Sequence, residues 1–284
     1  MSSELSSLYK NRPITLWVED GLTRAWLRGL WDDADIGLLV VGGNDAVAGA
    51  VRDARGAGHG NVFGVRDRDF LATNRAAWLD PTKQPTVFVT EAHELENHLL
   101  DFDGLAALSP NHNRQRKTAA QLEARARQVA EGSIWWMAAR ATISEVRRAV
   151  TADFPSHPRI GSPEVADEAA ASAALDHLLH QSDWGTQLRT FVPALTPAWT
   201  QSCLRVHEAA LRAQLLDGTW RRQWSGKELW RAVLGTMTNA RVTQAAEEDV
   251  AKALAAHQRG ANTVDPALTE LRAALRKGGK LDPW

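Results

Sequence analysis

The stretch Asn61–Phe70, NVFGVRDRDF, is an apolar run that stops abruptly on Asp67, Arg68 and Asp69. Side chains two apart on a strand point to the same side, so Asp67 and Asp69 are expected to face the same way. Like charges so placed repel unless a cation lies between them or water solvates them. Other acids stand at comparable points: Glu19 ends the run ITLWVE, and Glu91, Glu94 and Glu96 follow TVFVT. Ligands of an open parallel sheet bind beyond the carboxyl ends of its strands. A rim of carboxylates there, offering hard oxygen ligands, suits Mg²⁺ or Mn²⁺. One such ion, or two about 3.5–4 Å apart, would clamp a phosphodiester and activate water. Any single acid reads equally well as a solvated strand end or a cap. The combination of Glu19, Asp67 and Asp69 on neighbouring strand ends is what points to metal, with the carboxylates expected roughly 4–8 Å apart.

The elements that must position these acids follow from patterning. ITLWVE (Ile14–Glu19), IGLLVVGG (Ile36–Gly43), NVFGVRD (Asn61–Asp67) and TVFVT (Thr86–Thr90) read as strands without polar alternation. Between them, GLTRAWLRGLWDD carries Leu22, Trp26, Leu27, Leu30 and Trp31 at helical spacing. DAVAGAVRDARGAG reads as a second helix, with Asn44 as its cap and Gly56 and Gly58 at its end. ELENHLLD is a short helix after the fourth strand. Buried strands joined by helices imply an α/β fold: a Rossmann-like, mostly parallel sheet flanked by helices. From about Gln115 the pattern is helical to the end of the sequence. The expected division is therefore residues 1–112, α/β with the acidic site, and 113–284, all-helical, with the proline-rich stretch 151–164 as a loop or linker.

Composition excludes several classes. Lys and Arg total 33 against 34 Asp and Glu, so the chain is not a globally basic coat for nucleic acid, though a local basic surface is compatible. A single cysteine, Cys203, rules out an intramolecular disulfide and a cysteine zinc ribbon. No apolar run approaches the roughly 20 residues of a membrane span, and MSSELSSLYKNRP lacks the regions of a signal peptide. A soluble, cytoplasmic protein without membrane contact is expected. No G-x-x-x-x-G-K-[ST] occurs, since Lys227 in SGKEL is followed by Glu228, so the chain has no phosphate-binding loop of its own. Tyr9 is the only tyrosine and stands in a polar N-terminal stretch, which argues against a tyrosine nucleophile. The 12 tryptophans are expected chiefly in packing. His93 and His98 flank ELEN and are read first as ordinary residues of a short helix, with proton transfer as the sharper reading.

The order WVEDG, GVRDRDF, HELENHLL resembles the TOPRIM fold, which holds a glutamate after its first strand and a DxD after its third. More closely, it resembles the domain-of-unknown-function 4435 family, with its VEG-, DRDF- and ENYL-type motifs. That family includes the nuclease subunit of the PARIS anti-phage system and is related to the OLD-family nucleases. The resemblance covers Ile14–Asp101, and WSGKELWRAVL (Trp224–Leu234) is similar to the family's late helical segment. It implies Glu19 as metal ligand or general base, Asp67 and Asp69 as holders of Mg²⁺, and Glu96 as a further ligand or a structural anchor. Where the family often has Asp four residues after the first Glu, this chain has Thr23, and Asp20 follows Glu19 directly. That departure leaves one metal or two, reduced activity, or a shifted ligand set all open.

Basic residues cluster at Arg114, Arg116 and Lys117 and again at Arg221 and Arg222, the latter between Trp220 and Trp224, which are available for stacking on bases. A solvated helix face explains the same residues equally well. The expected function is metal-dependent hydrolysis of DNA or RNA, tRNA included. The resemblance implies a defence effector controlled by a partner ATPase, and a possible homodimer. The rival expectation is an interaction module that keeps the fold with weak or lost catalysis. A nucleotide-binding enzyme is disfavoured because no G-x-G-x-x-G follows the first strand.

Overall fold

The computed structural model describes residues 7, 9–80, 82–108, 111, 116–148, 150, 160, 165–238 and 243–280. Four strands form one parallel sheet: β1 (Ile14–Val18), β2 (Ile36–Val40), β3 (Val62–Arg66) and β4 (Val87–Val89). Their order is β2-β1-β3-β4. All three pairings are parallel, with Trp17 opposite both Leu39 and Gly64. The chain leaves β1 on one side to make β2 and continues on the other side with β3. Strand order therefore reverses between β1 and β3, and the crevice beyond their carboxyl ends is where such sheets bind ligands. Each strand ends earlier than the apolar run suggests, so Glu19 and Asp67 lie just past the sheet.

Helix α1 (Gly21–Trp31) buries Leu22, Trp26, Leu27, Leu30 and Trp31, as their spacing predicts. Its N-cap is Asp20, whose carboxylate accepts from Thr23 N at 2.8 Å. Helix α2 (Asn44–Gly56) lies close over β3: a Cβ on Gly64 would meet Val47 Cγ1 at 2.6 Å and Val51 Cγ2 at 2.9 Å. Only glycine permits that approach. Asn44 is not the cap. The helix begins on it, and Gly43, at φ 75°, holds the cap position without a side-chain bond. A backbone with positive φ favours glycine there over the expected asparagine. Beneath α2, Tyr9 is packed with Trp17, Val47, Val51, Ala54 and Val62. The only tyrosine is thus a core residue, where the sequence had placed it in a polar tail.

After β4 come a 3₁₀ turn (Leu95–Leu99) and α3 (Phe102–Ala107). The helical region follows: α4 (Ala119–Gly132), α5 (Ile134–Arg148), α6 (Glu168–Asp176), α7 (Asp183–Phe191), α8 (Pro197–Asp217), α9 (Trp220–Gln223), α10 (Gly226–Thr238), α11 (Gln244–Ala261) and α12 (Pro266–Gly278). The boundary at 112/113 marks where strands give way to helices. Compactness divides the chain differently: one unit comprises residues 1–125 with 226–284, and the other residues 126–225. Helices α10–α12 thus belong with the sheet. The 151–164 stretch lies, apart from Ile160, outside the described residues. Among the described residues no helix is long and apolar enough to cross a membrane.

Ion pairs tie α12 to the sheet region. Arg75 bridges Glu91 and Glu270. Asp33, after α1, receives Arg272 at 2.9 Å and Arg276 at 3.0 Å and is 4% exposed. Burial opposes ionisation of Asp33, yet the two guanidiniums and the Asp35 backbone N–H outweigh it and hold its pKa below the usual range. A carboxyl with a depressed folded-state pKa stabilises the fold above its unfolded pKa of roughly 4, and that stability is lost as pH falls through the folded value. Asp33→Asn leaves two half-buried cations short of an anion and should cost about 3 kcal/mol at neutral pH. Chemical denaturation at pH 7 and pH 3 should show the difference between variant and parent shrinking at the lower pH.

Candidate functional site

Glu19 follows β1 and Asp67 follows β3, and these adjacent strand ends bring the two acids together. Glu96 joins them from the 3₁₀ turn after β4. At their centre is Lys227, in the first turn of α10. Its Nζ lies 3.1 Å from Glu19 Oε1, 3.4 Å from Asp67 Oδ2, 3.6 Å from Asp20 Oδ2 and 3.8 Å from Glu96 Oε1. Four carboxylates, from three separate stretches of the first hundred residues, share one ammonium supplied from residue 227.

Lys227 is fixed at its root. Its backbone N–H donates to Glu94 Oε2 at 2.8 Å. Glu94 also forms a capping box with Asn97 around the 3₁₀ turn, so one carboxylate caps two helical starts. Gly226 closes the joint: a Cβ there would stand 2.6 Å from Asn97 N. Asp67 is held as firmly, for its Oδ1 accepts from Leu95 N at 2.8 Å.

Burial and charge are out of balance in this cluster. Asp67 is 4% and Glu96 2% exposed. Burial drives the pKa of Asp67 well above the carboxylate range; Lys227 opposes this, and Glu94 and Glu19 add to it. Burial does the same to Glu96, reinforced by Asp67. Burial alone would lower the pKa of Lys227, but Glu96, Asp67 and Glu19 outweigh it and hold the ammonium charged. Both carboxylate oxygens of Glu96 and Oε2 of Glu19 are buried without a hydrogen bond. Buried carboxylate oxygens without a hydrogen bond, on residues that meet one cation, are what a hard cation takes up, so these residues fit a divalent ion.

Asp69 has a different setting from the one expected. Extended backbone ends at Arg66, and Asp69 adopts φ 48°, so strand alternation no longer governs where it points. Its N–H donates to His93 O at 2.7 Å. Ligand atoms of Asp69, His93 and Glu94 lie within 4.8 Å of one another, a second group with metal-ligating potential. Asp69 is its more open member, its side chain 35% exposed, while His93 is buried edge-on against Phe70. His98 is structural: it stacks on Trp26 and meets Asp265 at 3.0 Å. Glu91 is engaged by Arg75.

No family model, curated protein or solved structure matches the chain. The site is therefore read from its own geometry. The structure unites Glu19, Asp67 and Glu96; sequence reasoning missed Lys227 as their companion, and Asp20, noted there as the acid directly after Glu19, joins them. A shortage of counter-charge at the rim was legible. Nothing in the spacing of SGKEL shows that its lysine supplies part of it.

Of the basic residues, Arg114 lies outside the described residues. Arg116 is exposed, at φ 46°, in a turn organised by buried Asn111, which accepts from Lys117 N at 2.9 Å and donates to Lys117 O at 2.7 Å. Arg221 and Arg222 are exposed on α9. Trp220 and Trp224 are not available for stacking. They are 1% and 0% exposed, and the Trp224 indole donates to Ser133. Their apolar area is used inside the 126–225 unit.

The unbalanced cluster makes a direct prediction. Glu96→Gln removes a carboxyl that ionises freely in the unfolded chain but is opposed by burial and by Asp67 in the fold, so the metal-free protein should gain about 1 kcal/mol at neutral pH. A thermal melt in EDTA measures it, and a lower melting temperature would mean Glu96 is a structural anchor.

Proposed function

We propose that this chain is a divalent-metal-dependent phosphodiesterase acting on DNA or RNA. The observation that carries the reading is the convergence of Glu19, Asp67 and Glu96 on one cation position, with buried carboxylate oxygens that make no hydrogen bond. Those three residues would hold the ion, and Asp20, whose carboxylate reaches the same ammonium, supports the shifted ligand set. Bound Mg²⁺ or Mn²⁺ would supply Lewis acidity toward the phosphate and lower the pKa of a water. Glu19 Oε2, free of any hydrogen bond, is placed to take a proton from the attacking water. Lys227 adds a positive charge near where negative charge develops on the scissile group. Asp69 is the acid most open to solvent and substrate at the outer side. The resemblance of the three motifs extends this reading to a defence effector held by a partner ATPase, active as a homodimer, with tRNA among its substrates.

A second reading has one observation in its favour. Lys227 already meets every carboxylate of the cluster, as a site that has abandoned metal would arrange. The chain would then be an interaction module. Purified protein incubated with plasmid, single-stranded DNA and tRNA, with and without Mn²⁺, separates the two. Cleavage should require the metal and should fall at least about a hundredfold in Glu19→Gln and in Asp67→Asn. Cleavage in EDTA would overturn the metal dependence, and no cleavage of any substrate favours the module.

The basic turn yields an independent prediction. Nucleic acid reaches an acidic rim only if other groups compensate its phosphates. Arg114, Arg116 and Lys117 changed together to Ala should weaken binding alike across sequences and flatten its salt dependence. Filter binding by the Asp67→Asn protein in EDTA over a salt series measures this apart from catalysis.

A further inference from the structure

We propose that the Lys227 ammonium is an internal stand-in for the metal, which a divalent ion must displace from Glu19, Asp67 and Glu96 to bind. This rests on the metal-dependent reading above and concerns how that site is regulated. The geometry is exclusive. An ion bound at the roughly 2.0–2.2 Å typical of Mg²⁺ or Mn²⁺ with carboxylate oxygen must draw in the oxygens that now stand 3.1–3.8 Å around Nζ. No second cation fits among them without direct contact with the ammonium, which it would repel.

The lysine is built to yield. Its backbone is pinned by Glu94, and Gly226 is pressed against Asn97, so α10 stays while the four-carbon stem swings. The oxygens of Glu96 and Oε2 of Glu19, which make no hydrogen bond, offer the entering ion a first foothold without any bond being broken. Once released, the ammonium is a mobile cation tethered at the rim, free to meet a phosphate. Metal loading and polyanion binding are then coupled through one side chain, each strengthening the other. Without metal, the same ammonium stays with the carboxylates and occupies the position.

The test reads metal binding without any substrate. Mn²⁺ is titrated into the full chain, its Lys227→Met variant and its Lys227→Arg variant, and the melting temperature is followed. A ligand that binds only the native state raises it according to its affinity. Lys227→Met should melt lower in EDTA, because the cluster has lost its cation. It should bind Mn²⁺ about tenfold or more tightly than the parent, the loss of a competitor appearing as a coupling of that size. Lys227→Arg should stay near the parent. Equal or weaker Mn²⁺ binding by Lys227→Met, with a clear response in the parent, overturns the displacement and leaves the metal reading standing. No response in any of the three overturns both. If Lys227→Met has no cooperative melt in EDTA, its recovery by Mn²⁺ at concentrations that half-saturate the parent supports the proposal. Failure to recover, repeated in Lys227→Gln, overturns it.

Discussion

Carboxylates that leave water together must find positive charge, and most of what is distinctive in this chain answers that requirement. Glu19, Asp20, Asp67 and Glu96 surround Lys227 Nζ within 3.8 Å. A unit charge pair at such a distance is worth about 4 kcal/mol at the effective dielectric of a protein surface. The one ammonium is attracted to each acid, while every acid repels the other three. A single lysine therefore holds the group together without neutralising it. The remainder must be taken up by a proton on Asp67 or Glu96, which their raised pKa values describe, or by a further cation.

This demand explains why α10–α12 return to the sheet after a hundred residues spent in another compact unit. Lys227 serves only if the start of α10 is brought to the crevice between β1 and β3. Glu94 does this by capping α10 and its own turn at once, and Gly226 admits the close approach to Asn97. Arg272 and Arg276 on Asp33, and Arg75 on Glu270, fasten α12 to the same unit. The charges near the sheet thus do two kinds of work. Those on α12 close ion pairs that fix the fold, the ones on Asp33 buried. The one on α10 meets a surplus and leaves it incompletely paired.

The fold was legible where periodicity is strong. The buried strands, the α1 stripe and the long helices follow from local pattern, because burial imposes period on sequence. What patterning could not supply was any relation between distant segments. Nothing local distinguishes Lys227 from other lysines at helix starts, and Asp20, which stands out in the sequence only by following Glu19, also caps α1. The tryptophans are expected chiefly in packing, with stacking as the sharper reading for Trp220 and Trp224 beside two arginines, and their burial decides for the core. Strand-end acids could be named from sequence, since they interrupt an apolar run. Their grouping depended on where the strands stop, and a difference of one residue was enough to take Asp69 out of the alternation.

The placement of Asp69 gives the two aspartates of DRD different duties. Asp67 is nearly sealed, bonded to Leu95 N, and faces the lysine. Asp69 turns at positive φ, a conformation Asp tolerates better than most residues, and its N–H is tied to His93 O. That turn carries it to a half-exposed position beside His93 and Glu94. Glu94 belongs to both settings, since its other commitment is to the backbone of Lys227. A buried pocket that fixes charge and an outer group open to solvent are thereby joined through one carboxylate. On the phosphodiesterase reading proposed above, such an arrangement would separate holding the cation from meeting the substrate, with Glu94 the one carboxylate common to both groups.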